Sequence, residues 1–227
     1  MERLPKFKPP HDYVLIEGDV TDIETLNLVR DALAVYRGLF QGMVPVGTWL
    51  EARVETLVRE WLPEWEVSHA QVVDLERQEI QSRSWDLVVH KPVPQELGLP
   101  PPAKPGRGWA LVPRHLCCAV VDVKGRFDDG LKYAKAPAFD ARNKCELVQL
   151  ELLGRGVLMA VLAITSARAP QTLDRSCGPL GLETFVLARA RDRQRPRVWE
   201  LHRGEIMPPL IAFKGALQAA AARWNTT

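Results

Sequence analysis

The chain has 227 residues, of which 46% are hydrophobic and 26% charged, and its formal net charge is +2. This composition is that of a folded globular protein, and so weak a net charge excludes nucleic-acid binding other than through a local basic patch. No stretch approaches the roughly 20 apolar residues of a membrane span, and the start of the chain lacks an apolar signal-peptide core, so we expect a cytoplasmic protein.

The first 46 residues are predicted to form an arm and a helix. A short apolar strand over 12–17 precedes a helix over 21–40, in which apolar residues recur at helical spacing. Thr21 and Glu24 have the spacing of a capping box, which predicts that the helix begins there. We therefore expect 1–46 to be an N-terminal arm and helix that precede the main core.

A second helix and two strands are predicted next. One apolar stripe predicts a helix over 48–61 that ends before Pro63. Apolar segments at 65–75 and 84–90 flank a short polar stretch, which predicts an antiparallel hairpin. The proline-rich segment 92–113 is predicted to be an irregular excursion between neighbouring strands.

A strongly apolar strand that follows the proline-rich segment ends in charged residues. Residues 117–124 read Cys-Cys-Ala-Val-Val-Asp-Val-Lys, which is typical of a buried strand. Asp122 and Lys124 are two positions apart and therefore project from the same face. Burying them requires a pairing, a metal or a substrate. An ordinary salt bridge at the strand end explains this octapeptide equally well.

The remaining elements alternate between helix and strand. We expect a helical segment over 128–153 and a central strand over 157–165. The tail is predicted to hold a short helix at 170–173, strands at 183–190 and 197–201, and a closing helix at 210–224. We expect 47–165 to form the core and 166–227 a C-terminal extension packed on it.

Cysteines and histidines are scattered rather than grouped. The spacing of Cys117, Cys118, Cys145 and Cys177 is not that of a zinc site, so we expect reduced, buried thiols. No two histidines have the i, i+4 spacing that places both on one helix face. A histidine metal site is therefore not expected.

The order of elements carries a family resemblance. A helix, three strands, a helix and a strand, with an acid on the second strand and Asp-x-Lys on the third, resembles the PD-(D/E)XK nuclease superfamily. The matching residues are Asp86 for the lone acid, Asp122-Val123-Lys124 for the (D/E)XK element, and Glu51 for the extra acid that many members carry on the first core helix. The segments around these residues are most similar to a bacterial group of nuclease-like domains suspected of roles in phage defence. The resemblance covers roughly residues 47–165.

The resemblance implies an α/β fold, namely a restriction-endonuclease-like αβββαβ core with a mixed central sheet flanked by helices. It also implies metal-dependent phosphodiester hydrolysis with Asp86, Asp122, Lys124 and Glu51 as catalytic residues. Asp86, Asp122, the Val123 carbonyl and Glu51 would hold Mg²⁺ or Mn²⁺, which prefer hard oxygen ligands. Lys124 would orient the attacking water and offset phosphate charge.

Two groups of basic residues could contact a nucleic acid. They are Arg126, Lys132 and Lys135 after the motif, and Arg191, Arg193 and Arg195 in the tail. The tail arginines alternate with other residues, so an extended conformation would place them on one face. A solvated hairpin turn explains them nearly as well.

Three functional hypotheses follow. The first is a nuclease acting on DNA, as a phage-defence effector or within a larger assembly, and the second is the same chemistry on RNA. The third is an inactive binding or scaffold module that works through homo-oligomers or a defence-system partner, with the proline-rich segment and the tryptophan-bearing last helix as contact surfaces. The third hypothesis gives no reason to keep charged residues at positions where burial costs free energy, so these four positions favour catalysis. They are Glu51, Asp86, Asp122 and Lys124.

Overall fold

The computed structural model describes residues 14–16, 22–36, 46–76, 79–80, 84–99, 110–126, 156–166, 178, 181–191, 198–202, 204 and 206–226. The helices within these ranges are α1 (Ile23–Tyr36), α2 (Val46–Trp61) and α3 (Pro209–Thr226). The strands are β1 (Val14–Ile16), β2 (Glu66–Asp74), β3 (Glu79–Ile80), β4 (Trp85–His90), β5 (Ala110–Pro113), β6 (Cys117–Arg126), β7 (Leu158–Ser166), β8 (Glu183–Ala190) and β9 (Val198–Leu201).

The strands described by the structure form one mixed sheet. Its order is β1-β9-β8-β7-β6-β4-β2, and both β3 and β5 pair with β2. The neighbours β6, β7 and β8 are parallel, whereas β2 and β6 each run antiparallel to β4. A parallel pair such as β6 and β7 cannot be joined by a tight hairpin. The predicted order of core helix and strands and the predicted hairpin are confirmed.

The described helices pack on one face of this sheet. Leu28 of α1, Val54 of α2 and Phe213 of α3 are buried in a single cluster with side chains from the central strands. Phe213 joins two elements, since its ring centroid lies 6.2 Å from that of Trp61 and 5.3 Å from that of Phe185. Full burial of such side chains stabilises the fold by about 1.5 to 3 kcal/mol each. This packing fixes α2 against the strands that carry the acidic residues.

The sheet also joins the flanking segments to the core. β1 comes from the predicted N-terminal arm, while β8 and β9 come from the predicted C-terminal extension, and all three continue the core sheet. The predicted strand at 183–190 has the observed bounds, and the last strand begins one residue later than expected, at Val198. None of the described helices is both long and apolar enough to cross a membrane.

Helix α1 begins at a different cap from the one expected. The Asp22 carboxylate accepts hydrogen bonds from the backbone amides of Glu24 and Thr25, at 3.1 and 3.2 Å, and also contacts the Thr25 hydroxyl. Asp22 is therefore the residue that satisfies the unpaired amides of the first turn. The predicted capping box of Thr21 and Glu24 was wrong, because an aspartate one residue later fills the same role.

The proline-rich segment is more regular than expected. A single 3₁₀ turn forms at Gln95–Leu97, and Ala110–Pro113 forms β5, which pairs with β2 in parallel. Among the described strands β5 pairs with β2 alone, so it is an edge strand, where a proline without a backbone N–H is tolerated. Burial of Val112 favours the pairing. The expectation of wholly irregular structure over 92–113 was wrong for these residues, and 100–109 lie outside the described part.

The tryptophan of α3 contacts the chain itself. Trp224 donates its indole N–H to the His115 carbonyl at 3.2 Å, and its ring meets that of Trp65 edge to face at 5.3 Å. The Lys91 ammonium lies 4.2 Å from the centroid of the Trp65 ring. The two contacts of Trp224 hold the end of α3 against the residues that precede β2 and β6. The predicted helices at 128–153 and 170–173 lie outside the described residues.

Candidate active site

The predicted acidic residues meet where β4 begins and β6 approaches its end. The antiparallel register pairs Leu87 with Val121. Asp86 immediately precedes Leu87 and Asp122 immediately follows Val121, so in this antiparallel pair the two acids are direct neighbours across the strands. Lys124 follows two residues after Asp122 and projects from the same face. The strand pairing thus brings together two acids and a base that are far apart in the sequence.

Lys124 lies between the two carboxylates. Its Nζ is 2.8 Å from Oδ2 of Asp122 and 3.9 Å from Oδ2 of Asp86. The Asp122 side chain has no exposed surface, the Asp86 side chain is 12% exposed, and the Lys124 side chain is 21% exposed. The ammonium therefore sits near the surface with a buried acid beneath it. Such a position allows it to contact both the acids and a molecule arriving from solvent.

The backbone of β6 orients Asp86. The amide of Val123 donates a hydrogen bond of 2.7 Å to Oδ2 of Asp86. A bond to an ionised acceptor is about twice as strong as a neutral one and fixes the carboxylate. The contact shown for Val123 is thus made by its N–H group. The predicted role of its carbonyl as a metal ligand stays a prediction.

Helix α2 and strand β2 each add a ligand type to the site. Glu51 of α2 lies with Oε2 3.9 Å from Nδ1 of His69 on β2. Glu51, His69 and Asp86 can each offer one ligand atom, and these atoms all lie within 4.8 Å of one another. The predicted placement of Glu51 beside Asp86 is therefore what the structure shows. His69 is a member of this group that the sequence did not indicate.

His69 is also held in place. Its Nε2 lies 2.8 Å from the hydroxyl oxygen of Ser84, which is buried at the start of β4. The contact fixes the ring so that Nδ1 is the nitrogen on the side of Glu51. A histidine in β2 could have been linked to Asp86 from the sequence only if the exact register of the hairpin were known.

The donor set suits a divalent metal ion. Two carboxylates and an imidazole provide oxygen and nitrogen ligands of the kind that bind divalent cations in proteins. Among the described residues, the set of ligand atoms within 4.8 Å comprises Glu51, His69 and Asp86 and does not include Asp122. Asp122 instead contacts Lys124. Asp86 is the residue that belongs to both groups.

The predicted nucleic-acid contacts are described only in part. Arg191 follows β8 with its side chain 67% exposed, and its Nε lies 3.6 Å from Oε1 of Glu200 on β9. Arg189, half exposed, lies 3.6 Å from the other oxygen of Glu200. Both arginines therefore approach the same acid on β9. The side chain of Arg126 and the residues Lys132, Lys135, Arg193 and Arg195 lie outside the described part.

The cysteines that the structure describes take no part in this site. Cys117 and Cys118 are free and buried, as expected for reduced thiols. Burial raises the pKa of the Cys117 thiol far above its ordinary value and that of Cys118 to about 12. A buried thiol of raised pKa is a poor nucleophile at neutral pH. Cys145 and Cys177 lie outside the described residues.

Comparisons with known proteins identify the fold. No protein-family profile matches the chain, and no curated protein matches it. Solved structures do match over most of its length. The NucC structure from P. aeruginosa ATCC27853 in its cAAA-bound form has a TM-score of 0.54 and 14% identity, covering 89% of this chain and 95% of that one. The cAAA-bound NucC from E. coli MS115-1 has a TM-score of 0.50 and 13% identity, covering 92% and 99%.

These likenesses concern the architecture. At such low identity a structural match establishes a shared fold and carries no activity across. The mixed sheet flanked by helices that the resemblance implied is confirmed, and the chain shares this α/β fold with the NucC structures.

Proposed function

We propose that the chain is a metal-dependent nuclease that hydrolyses phosphodiester bonds, with DNA as its substrate, and that it acts as a phage-defence effector. The observation that carries the proposal is the position of Lys124 between two carboxylates, 2.8 Å from Asp122 and 3.9 Å from Asp86. Its fold, shared with a phage-defence nuclease, supports the same assignment. Phosphodiester hydrolysis needs this combination of anionic ligands for a metal and a cation near the phosphate.

The acids would hold the ion. Asp86, Asp122 and Glu51, with the carbonyl of Val123, are the ligands that we propose for Mg²⁺ or Mn²⁺. A bound divalent ion would supply Lewis-acid stabilisation of the charged phosphate and lower the pKa of a water ligand. Asp86 is preoriented for this task by the amide of Val123 at 2.7 Å. The protein's own contribution is thus a set of ligands fixed by two strands and a helix.

Lys124 would act on the phosphate. Its ammonium is partly exposed and already anchored by Asp122, so little reorganisation is needed when a phosphate oxygen approaches. We assign it two tasks, which are to offset the charge that develops on the phosphate and to orient the attacking water by hydrogen bonding. Such a preorganised charge contributes about 10²- to 10³-fold to a rate.

The rest of the nucleic-acid surface would be basic. We propose that Arg126, Lys132, Lys135, Arg191, Arg193 and Arg195 contact the phosphate backbone. Exposure of Arg191 supports its part in this surface. We also expect a cytoplasmic protein that works as a homo-oligomer or with a defence-system partner, which light scattering of the purified chain and copurification from its host would test.

A cleavage assay tests the proposal. The purified chain is incubated with plasmid, linear DNA or RNA in Mg²⁺, Mn²⁺ or chelator, each with and without cAAA, because the NucC structures that share the fold were bound to cAAA. We expect DNA cleavage that requires metal and is lost in Asp86→Asn. Glu64→Gln, which changes an exposed acid just after α2, is the control that should cleave normally.

The alternatives predict other outcomes of the same assay. Cleavage of RNA alone would replace the DNA substrate with RNA. Failure of wild type on every substrate and in every metal, with or without cAAA, would contradict the nuclease and leave the scaffold hypothesis.

A further inference from the structure

We propose that His69 is a metal ligand together with Glu51 and Asp86, so that the site binds divalent transition metals in preference to Mg²⁺. This inference rests on the proposed function only in taking Asp86 as a metal ligand. It adds a nitrogen ligand that the acid-and-lysine motif does not contain. It also predicts a preference between Mg²⁺ and Mn²⁺, which the motif alone does not distinguish.

The three candidate ligand atoms lie close together. The ligand atoms of Glu51, His69 and Asp86 all lie within 4.8 Å of one another, and Nδ1 of His69 is 3.9 Å from Oε2 of Glu51. Two ligands on opposite sides of an ion with bonds of about 2.1 Å are about 4.2 Å apart, and adjacent ligands are closer. The three atoms therefore lie somewhat farther apart than the ligands of one ion, and small side-chain rotations that bring them together would let them share it.

The ring of His69 is oriented with one nitrogen towards the acids. Metal-binding histidines use one ring nitrogen for the metal and the other for a hydrogen bond that fixes the ring. Nε2 of His69 lies 2.8 Å from the Ser84 hydroxyl, and Nδ1 faces Glu51. When Nε2 donates its hydrogen to Ser84, Nδ1 carries the lone pair on the side of the two acids. Ser84 is thus a positioning residue for this ligand.

Each of the three ligands comes from a different packed element. Glu51 lies on α2, His69 on β2 and Asp86 on β4, and β2 and β4 are hydrogen-bonded neighbours. Helix α2 is anchored to these strands by buried residues such as Leu50 and Val54. Ligands from rigid elements are held at defined separations, as a selective site requires. A surface histidine that met an acid by chance would lack this support.

The chemical consequence is a change in metal preference. Mg²⁺ demands hard oxygen ligands, whereas an imidazole nitrogen strengthens the binding of transition metals in the order Mn²⁺, Co²⁺ and later ions. With one nitrogen and two carboxylates, the site should bind Mn²⁺ more tightly than Mg²⁺ and Co²⁺ more tightly than Mn²⁺. Positions on the ion that these three residues do not fill stay open to water, substrate or Asp122.

Calorimetry and electron spin echo spectroscopy of the whole chain test the inference. We expect Mn²⁺ to bind at least about tenfold more tightly than Mg²⁺, and His69→Gln to weaken Mn²⁺ binding by about 10- to 100-fold while Mg²⁺ changes little. Ser84→Ala should weaken Mn²⁺ binding by about tenfold. His202→Gln is the control. His202 directly follows β9, which lies five strands, or about 24 Å, from the strand β2 that carries His69.

The spectroscopic readout does not depend on catalysis. Mn²⁺ bound to wild type should show nitrogen-14 modulation from the imidazole, and this signal should disappear in His69→Gln. Equal affinity of wild type for Mg²⁺ and Mn²⁺, or absence of the nitrogen signal, would overturn the inference while DNA cleavage in the same preparation would keep the nuclease. A nitrogen signal without cleavage of any nucleic acid would support the metal site and contradict the nuclease.

Discussion

The Lys124 ammonium lies 2.8 Å from Oδ2 of Asp122, a carboxylate with no exposed surface. The same ammonium reaches Asp86 at 3.9 Å. One residue therefore neutralises a buried acid and also presents a positive charge at the mouth of the site. A structural role and a catalytic role are both possible for such a lysine, and they make different predictions when its charge is removed.

Removing the Lys124 charge should abolish cleavage. We expect Lys124→Met to lower the rate by about two to four orders of magnitude, since it removes a preorganised charge that stabilises the transition state. The rate should be measured well below the melting temperature of the variant, so that the folded fraction is constant. Cleavage at the wild-type rate would assign Lys124 to stability alone.

The same substitution should destabilise the fold. Lys124→Met leaves the buried Asp122 without its ammonium partner, which should lower the free energy of unfolding by on the order of 3 kcal/mol. The double variant Asp122→Asn with Lys124→Met removes both charges and should be more stable than the single variant. Urea denaturation of the three proteins measures this difference. A double variant less stable than the single one would show that charge burial is not the cause.

The sequence predicted the acids and the lysine because they stand at the ends of strongly apolar strands. Residues 85–90 and 117–124 have few alternatives to strand structure, and the order of elements then sets which strands are neighbours. The contact between Asp86 and Lys124 follows from the antiparallel pairing of β4 with β6. These are local patterns that survive without knowledge of packing.

His69 could not be predicted in the same way. The pairing of β2 with β4 changes register between Ser68 and Ala70, and a shift of one residue moves a side chain to the opposite face. His69 lies at this irregularity. Its approach to Glu51 also depends on how α2 packs on the sheet. Neither the shift nor the packing leaves a pattern in the sequence.

Strand β5 was missed for a related reason. The strand has only four residues, Ala-Leu-Val-Pro, and it follows a run of prolines and glycines, which locally favour irregular structure. Pairing with β2 and the burial of Val112 outweigh this preference. Tertiary contacts of this kind override local propensity.

Glu51 should matter more than its neighbour one turn away on α2. We expect Glu51→Gln to weaken Mn²⁺ binding by about tenfold or more and to lower cleavage with it, because its carboxylate lies beside His69 and Asp86. Glu55→Gln removes the same charge from the same helix, but Glu55 pairs with Arg59 at 2.7 Å. Calorimetry and the cleavage assay should show wild-type values for Glu55→Gln. Equal effects of both variants would point to the net charge of α2 rather than to ligation.

Acid should destabilise the fold through His90. Its Nδ1 donates to the Lys91 carbonyl at 2.8 Å and its Nε2 accepts from the Ser68 hydroxyl at 2.8 Å, a pattern that suits the neutral ring. Burial lowers the pKa of His90 below its ordinary value of 6.5, and the opposing effects of the Lys91 carbonyl and of Glu66 are smaller. The unfolded chain therefore binds more protons than the folded one just below 6.5.

The stability contribution of His90 should therefore decrease in acid. The contribution of the neutral ring to stability is complete above the unfolded pKa and decreases as the pH falls towards the lower folded pKa. Urea midpoints at about pH 7.5 and about pH 5 should therefore differ more for wild type than for His90→Asn, which has no group that titrates in this range. An equal shift in both proteins would assign the acid sensitivity to other residues.

The arginines beside Glu200 should set the salt dependence of nucleic-acid binding. Arg189 and Arg191 each lie 3.6 Å from Glu200, which withholds part of their charge from a phosphate. Neutralising Arg191, Arg193 and Arg195 should weaken binding and lower the slope of log affinity against log salt by about 0.7 to 0.9 for each lost contact. Turnover at saturating substrate should change little.

Glu200→Gln should act in the opposite direction, since it releases Arg189 and Arg191 and strengthens binding at low salt. Fluorescence anisotropy of labelled DNA over a salt series measures both effects with a catalytically inactive Asp86→Asn background. An unchanged slope in the triple arginine variant would contradict phosphate contacts and assign these side chains to a solvated turn.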